Sequence, residues 1–176
     1  MYTDYNMYNN YYSLKNYGVR QENGTSYDDE LISLAQAIDL IRISIMDEKK
    51  DESFYSLIME QAPTEEEKNI IMSIRDNERK HNSILRNLYY NFTGQMIPMD
   101  YSQMGAENGN DMSYTQNLEK ALFGELDAVE KYRRILGTMP SGDSYTLIMS
   151  ILTDELRHAS KYNYLIHKAS MQNNNE

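Results

Sequence analysis

The sequence predicts an all-α fold, a four-helix bundle built from two copies of one antiparallel helical hairpin. Three observations carry the prediction. Apolar residues recur at helical spacing in four long segments, and no stretch alternates with the period of two that a half-buried strand needs. Two proline-containing breaks, APTEEE at 62–67 and GTMPSGD at 137–143, each divide a pair of these segments. The chain also repeats itself: IMSIRDNERKH at 71–81 returns as IMSILTDELRH at 148–158, 77 residues later. At that offset, 12 of the 41 positions of Glu48–Leu88 are identical in Glu125–Leu165, without a gap.

Residues 1–27, rich in Tyr and Asn, have no helical or strand period and read as a solvated tail, or as a segment whose tyrosines hold it to a surface or partner. The helical period begins at Asp28. The first helix aligns Ile38, Ile41, Ile45, Glu48, Tyr55 and Ile58 on one face. Pro63 stops it, and Thr64 with Glu67 reads as a capping box for the next helix. That second helix aligns Ile71, Ile74, Glu78, His81, Leu85 and Leu88, and ends near Gly94. A linker at about 92–112 follows, rich in Gly, Asn, Asp and Met. The third helix aligns Leu118, Leu122, Glu125, Val129, Tyr132 and Leu136; the fourth aligns Ile148, Ile151, Glu155, His158, Tyr162 and Leu165. The bundle is expected to span 28–170, with 171–176 a frayed tail. The linker can extend to about 70 Å at ~3.3 Å per residue, against roughly 40 Å for a helix of this length. It can therefore return along the bundle as a long crossover, so that the second and third helices run parallel.

Composition narrows the function. A chain of 176 residues reads as one domain. It has no cysteine, so disulfides and thiolate-bound metals are excluded, in keeping with a reducing, cytoplasmic location. A net charge of −10 argues against nucleic acid as a partner. No apolar run approaches the ~20 residues of a membrane span, and the N-terminus lacks the apolar core of a signal peptide.

Each predicted helix carries a polar residue inside its apolar face. Glu48 and Glu78 are equidistant from Pro63, and Glu125 and Glu155 are equidistant from Pro140. Residues equidistant from the turn of an antiparallel hairpin lie at one height, so each pair faces itself across a helix interface. His81 and His158 follow Glu78 and Glu155 by three residues and share their faces. Packing the hairpins together gathers four carboxylates and two imidazoles in one layer of the core. Left bare, such a layer is costly, and all four carboxyl pKa values are expected to rise. A buried ion-pair network is the bland alternative, but the core faces offer no Lys or Arg to build it. Two divalent cations balance the charge. Oxygen and imidazole donors suit iron or manganese, or zinc, and carboxylate bridging holds such ions about 3.5–4 Å apart.

The pattern of Glu48, Glu78-x-x-His81, Glu125 and Glu155-x-x-His158, with a Tyr seven residues after each lone Glu, resembles the ferritin-like superfamily and within it the rubrerythrin-like proteins. The resemblance implies two ions per chain. Glu78 and Glu155 would bridge both, Glu48 with His81 would serve one, and Glu125 with His158 the other. Asn77 and Asp154 would each hydrogen-bond a ligand histidine of the other half. Tyr55 and Tyr132 either bond a ligand carboxylate or are simply core tyrosines. Two departures stand out. There is no four-cysteine rubredoxin module, so electrons must come from a separate donor protein. The extra glutamate of rubrerythrins is Ala128 here; its symmetry counterpart, Asp51, is a candidate extra ligand or a solvated helix residue. The expected function is oxidoreduction of peroxide or dioxygen at a dinuclear non-haem centre, with peroxide scavenging in oxidative stress first and ferrous iron oxidation its neighbour. A homodimer is expected. The alternative is a structural or coat-associated protein whose metals are not catalytic.

Overall fold

A computed structural model describes residues 31–98 and 112–173. It contains four α-helices, α1 (Leu34–Gln61), α2 (Glu65–Thr93), α3 (Tyr114–Leu136) and α4 (Asp143–Asn173), and no strand among the described residues. The Tyr-rich tail, most of the linker and the last three residues fall outside this range, as does Asp28, the expected start of the helical region. The first described helix begins later, at Leu34. Ser33 caps it, with the Gln36 side chain returning a bond to the Ser33 N–H at 2.8 Å. Ser113 and Gln116 repeat this device at the start of α3. At its far end α4 continues to Asn173 rather than fraying after residue 170, and Ala169 in its last turns is still buried.

The two breaks lie where the sequence puts them. α1 ends at Gln61, just before Pro63, and α3 ends at Leu136, before Pro140. Gly94 closes α2 in the left-handed region at φ 69°, which glycine adopts without a Cβ clash. The expected capping box at Thr64 is half formed. Thr64 accepts from the Glu67 N–H, but the Glu67 carboxylate takes the Thr64 hydroxyl and the Tyr114 hydroxyl, the latter at 2.9 Å. A cross-bundle donor has recruited the group that would have reached back to the cap.

Side-chain bonds fix the helix directions. Asp47, Glu48 and Tyr55 of α1 meet Lys131, Tyr132 and Glu125 of α3, while Gln61 at the end of α1 meets Asn117 near the start of α3. α1 and α3 are therefore antiparallel. Glu66, Ser73 and His81 of α2 meet Lys168, Lys161 and Asp154 of α4, which makes that pair antiparallel too. Since α1 and α2 form a hairpin, α2 and α3 point the same way; the path between them runs through residues outside the described range.

The core is in two parts. One cluster gathers Ile41, Ile45, Leu85, Tyr132, Ile135 and Ile148 among others, and the second gathers Ile58, Ile71, Ile74, Leu118, Tyr162 and Leu165. Between them every helix contributes polar groups, Glu48, Glu78 with His81, Glu125, and Glu155 with His158, all buried. On α3 the inward face differs slightly from the expected one. Ala121 and Ile135 are buried, whereas Leu122, Val129 and Leu136 are half-buried. On α1, Ala37 and Ser44 turn inward and Ile38 is half-buried. Glu125 and Tyr132 set the rotation of α3, and the helical period then selects neighbours three or four residues away.

Candidate metal centre

Two overlapping groups of donors converge in the polar layer. Glu48, Glu78, His81 and Glu155 each bring one donor atom into a cluster whose atoms lie within 4.8 Å of one another, and Glu78, Glu125, Glu155 and His158 do the same. Glu78 and Glu155 belong to both. His81 Nδ1 lies 2.9 Å from Glu78, 3.2 Å from Glu155 and 3.6 Å from Glu48. His158 Nδ1 lies 3.0 Å from Glu78, 3.2 Å from Glu155 and 3.4 Å from Glu125. The two imidazole centroids are 5.7 Å apart. All six residues read from the sequence as ligands thus meet in one place.

The surrounding groups cross between hairpins. The Tyr55 hydroxyl on α1 donates to Glu125 Oε1 of α3 at 2.7 Å, and the Tyr132 hydroxyl on α3 donates to Glu48 Oε1 of α1. His81 Nε2 on α2 lies 3.4 Å from Asp154 Oδ2 of α4, and His158 Nε2 lies 3.1 Å from the Asn77 amide of α2. Each contact has its counterpart 77 residues away, so the sequence repeat is also a pseudo-two-fold in the hydrogen bonding. Tyr55 and Tyr132, fitting core positions and carboxylate donors alike, are both.

The protonation pattern of these groups corrects one expectation. Glu48 and Glu125 are indeed raised well above the usual carboxyl range by burial, with neighbouring carboxylates adding to it. Glu78 and Glu155 are not. Burial opposes their charge too, but the adjacent imidazoles, His158 and then His81, outweigh it and hold both low. Burial likewise opposes charging of the imidazoles, yet their carboxylate partners raise His81 and push His158 up to about 11. Among the protein groups alone these shifts favour charge on the two imidazoles, Glu78 and Glu155, and the neutral form of Glu48 and Glu125. Burial, then the adjacent Glu125 and Glu48 charges, keeps Tyr55 and Tyr132 protonated as donors.

The donor set fits divalent cations. Each Nδ1 faces three carboxylates, more than one N–H can serve. Among the described residues Glu78 Oε1 and Glu155 Oε1 are buried without a properly directed hydrogen bond, although an imidazole stands close to each. A cation accepts all of these lone pairs at once, and oxygen with imidazole is the chemistry of iron, manganese and zinc sites. These buried groups could hold a metal ion.

Asp51 stands outside both groups. It lies on the wall of a cleft of about 260 Å³ over the α1–α3 seam, with Asp47 and Lys131 beside it and Gly124, Asp127 and Ala128 opposite. Burial, and then the nearby Glu78, push Asp51 up to about 7. The cleft lies at the level of Glu48 and Glu125, whose chain neighbours line it. In the second apolar cluster Tyr162 was legible only as a core residue, yet its buried hydroxyl has no hydrogen-bond partner among the described residues. Its repeat counterpart, Leu85, is the signal that could have drawn attention to it. No family model, curated protein or solved structure matches this chain, so the reading of the centre rests on its own residues and their geometry.

Proposed function

We propose that this chain is a ferritin-like, rubrerythrin-like dinuclear non-haem metal protein that reduces peroxide, or consumes dioxygen while oxidising ferrous iron. The supporting observation is the convergence of Glu48, Glu78, His81 and Glu155 with Glu78, Glu125, Glu155 and His158 into two groups sharing two carboxylates. In this reading Glu78 and Glu155 would be shared by two ions, Glu48 with His81 would hold one, and Glu125 with His158 would hold the other. The hairpins are then a duplicated unit joined by a crossover through the 92–112 segment.

A bound pair of iron or manganese ions supplies two electrons, the number that takes hydrogen peroxide to two waters along with two protons. The chain holds and screens the centre. Tyr132 and Tyr55 each fix one terminal carboxylate from the opposite hairpin, so Glu48 and Glu125 cannot swing freely. The apolar clusters on either side exclude bulk water. The α1–α3 cleft offers a small oxidant its approach, and the Asp51 carboxyl there titrates near neutrality, suited to passing protons inward. With no cysteine for an iron–sulfur or rubredoxin centre, re-reduction falls to a separate donor protein. No helix is long and apolar enough to cross a membrane among the described residues. A cytoplasmic homodimer is the assembly we assign.

Two measurements test the reading. Elemental analysis of protein loaded anaerobically with ferrous or manganous ion is expected to give two ions per chain, and a value near zero removes the metal hypothesis. The ferrous-loaded protein is then expected to consume added hydrogen peroxide and gain the near-ultraviolet absorption of ferric iron. Two bound ions that neither consume peroxide nor oxidise in air would favour a coat-associated or structural role.

A further inference from the structure

The repeat is broken at one contact that matters to the centre. His81 Nε2 faces a carboxylate, Asp154 Oδ2, at 3.4 Å, whereas His158 Nε2 faces the amide nitrogen of Asn77 at 3.1 Å. Asn77 and Asp154 are repeat counterparts, so this is one position carrying two chemistries. A carboxylate, even one shared with Arg157 through its other oxygen, is a charged acceptor for the Nε2–H; it favours the tautomer that leaves Nδ1 bare and makes that nitrogen a better donor. An amide does less. It carries no formal charge, so it supports the Nε2–H, and with it the Nδ1 lone pair, less than a carboxylate does.

We infer that the two cation positions are unequal: the group built on His81 holds a divalent ion tightly, and the group built on His158 holds one weakly and exchangeably. Asn77 and Asp154 act through the histidines as positioning residues. The inference rests on the dinuclear reading above and adds an order of filling to it. Shared carboxylates alone would separate two binding steps by mutual repulsion of the ions, so the test has to ask which half binds better.

The probe is manganous ion, followed by calorimetry and by the electron paramagnetic resonance of the free ion. His158→Ala keeps only the His81 group, and His81→Ala only the His158 group. The first is expected to bind its remaining ion about 10–100-fold more tightly than the second, the range expected for loss of such an outer hydrogen bond. Asn77→Asp added to His81→Ala is expected to recover roughly tenfold or more, and Asp154→Asn added to His158→Ala to lose as much. On the otherwise unaltered chain, Asn77→Asp is expected to narrow the gap between the first and second binding constants, which keeps the test open should a histidine variant not fold. Equal affinity of the two histidine variants, or a gap that Asn77→Asp leaves as it was, overturns the inequality alone. Failure of the unaltered protein to bind manganese overturns the dinuclear reading and the inference with it.

Discussion

At the scale of single residues, a few buried polar contacts set the behaviour of the centre. Tyr132 and Tyr55 each spend a buried hydroxyl on one carboxylate of the opposite hairpin. Replacing Tyr132 by Phe removes the donor and leaves Glu48 Oε1 buried without it. The ion-free protein is expected to lose about 1–3 kcal/mol of stability, the desolvation penalty of an orphaned buried group. Manganous affinity is expected to fall about 10–100-fold. Denaturant unfolding and calorimetry read these separately, and a variant with unaltered metal affinity would reduce Tyr132 to a packing residue. Glu67 shows the same competition at the end of the bundle. Local sequence offers it to its helix cap, and Tyr114 with Lys168 draws it across the bundle instead.

At the scale of the helix, α3 is the element with an evident defect. It is the shortest of the four at 23 residues and carries Gly124 in its interior. A Cβ at Gly124 would meet nothing within 4 Å, so packing does not demand glycine there. Glycine inside a helix is less favourable than alanine by about 0.8–1 kcal/mol. Gly124→Ala is therefore expected to raise stability by roughly that amount, a thermal shift of about 2–4 °C in a chain of this size. Scanning calorimetry of ion-free protein is the check. Gly124 also lines the cleft beside Asp51, so its openness is the one use of the glycine that the fold suggests. The repeat counterpart in α1 is Asp47, which binds Lys131 of α3 at 3.1 Å.

At the scale of the molecule, the polar layer couples protonation, cations and stability. Without cations, Glu78 and Glu155 are held low. Their contribution is present above the unfolded value of 4.5 and is lost as pH falls through their folded values. Glu48 and Glu125 are held high. They keep protons that the unfolded chain has released, so stability falls as pH rises above 4.5 toward their folded values. Asp51 adds to that fall between 3.8 and about 7. The raised imidazoles contribute fully below 6.5 and lose their contribution as pH climbs, toward about 11 for His158. The ion-free protein is therefore expected to be most stable near pH 4.5 and to weaken steadily through neutrality. The loaded protein is expected to hold its stability at neutral pH and release its ions in acid. Loading displaces protons from the raised carboxyls and imidazoles, so protons should leave as the ions bind. Thermal unfolding of both forms in non-chelating buffers, with calorimetry in buffers of different ionisation enthalpy, measures both. Parallel stability curves, or no proton release, would mean that the six groups do not act as one site.

The sequence by itself determined the four helices, both hairpin turns and the six convergent residues, because each leaves a periodic trace. Apolar faces recur at the helical period, prolines interrupt them, and a duplicated Glu-x-x-His marks the same height in both hairpins. Antiparallel geometry then converts distance from a turn into height along the bundle, which is why Glu48 could be paired with Glu78 before any coordinates. Tertiary structure alone decided what depends on distances across the bundle. Which face of α3 turns inward was settled by the packing around Glu125 and Tyr132. Which carboxyls keep their protons was settled by how close each imidazole stands to each oxygen. The broken symmetry at Asn77 is visible as a letter, but its meaning lies in a partner 81 residues away. Hydrophobic periodicity is a one-dimensional property of a helix, whereas electrostatic balance in a buried layer is fixed by ångström-scale separations between four of them.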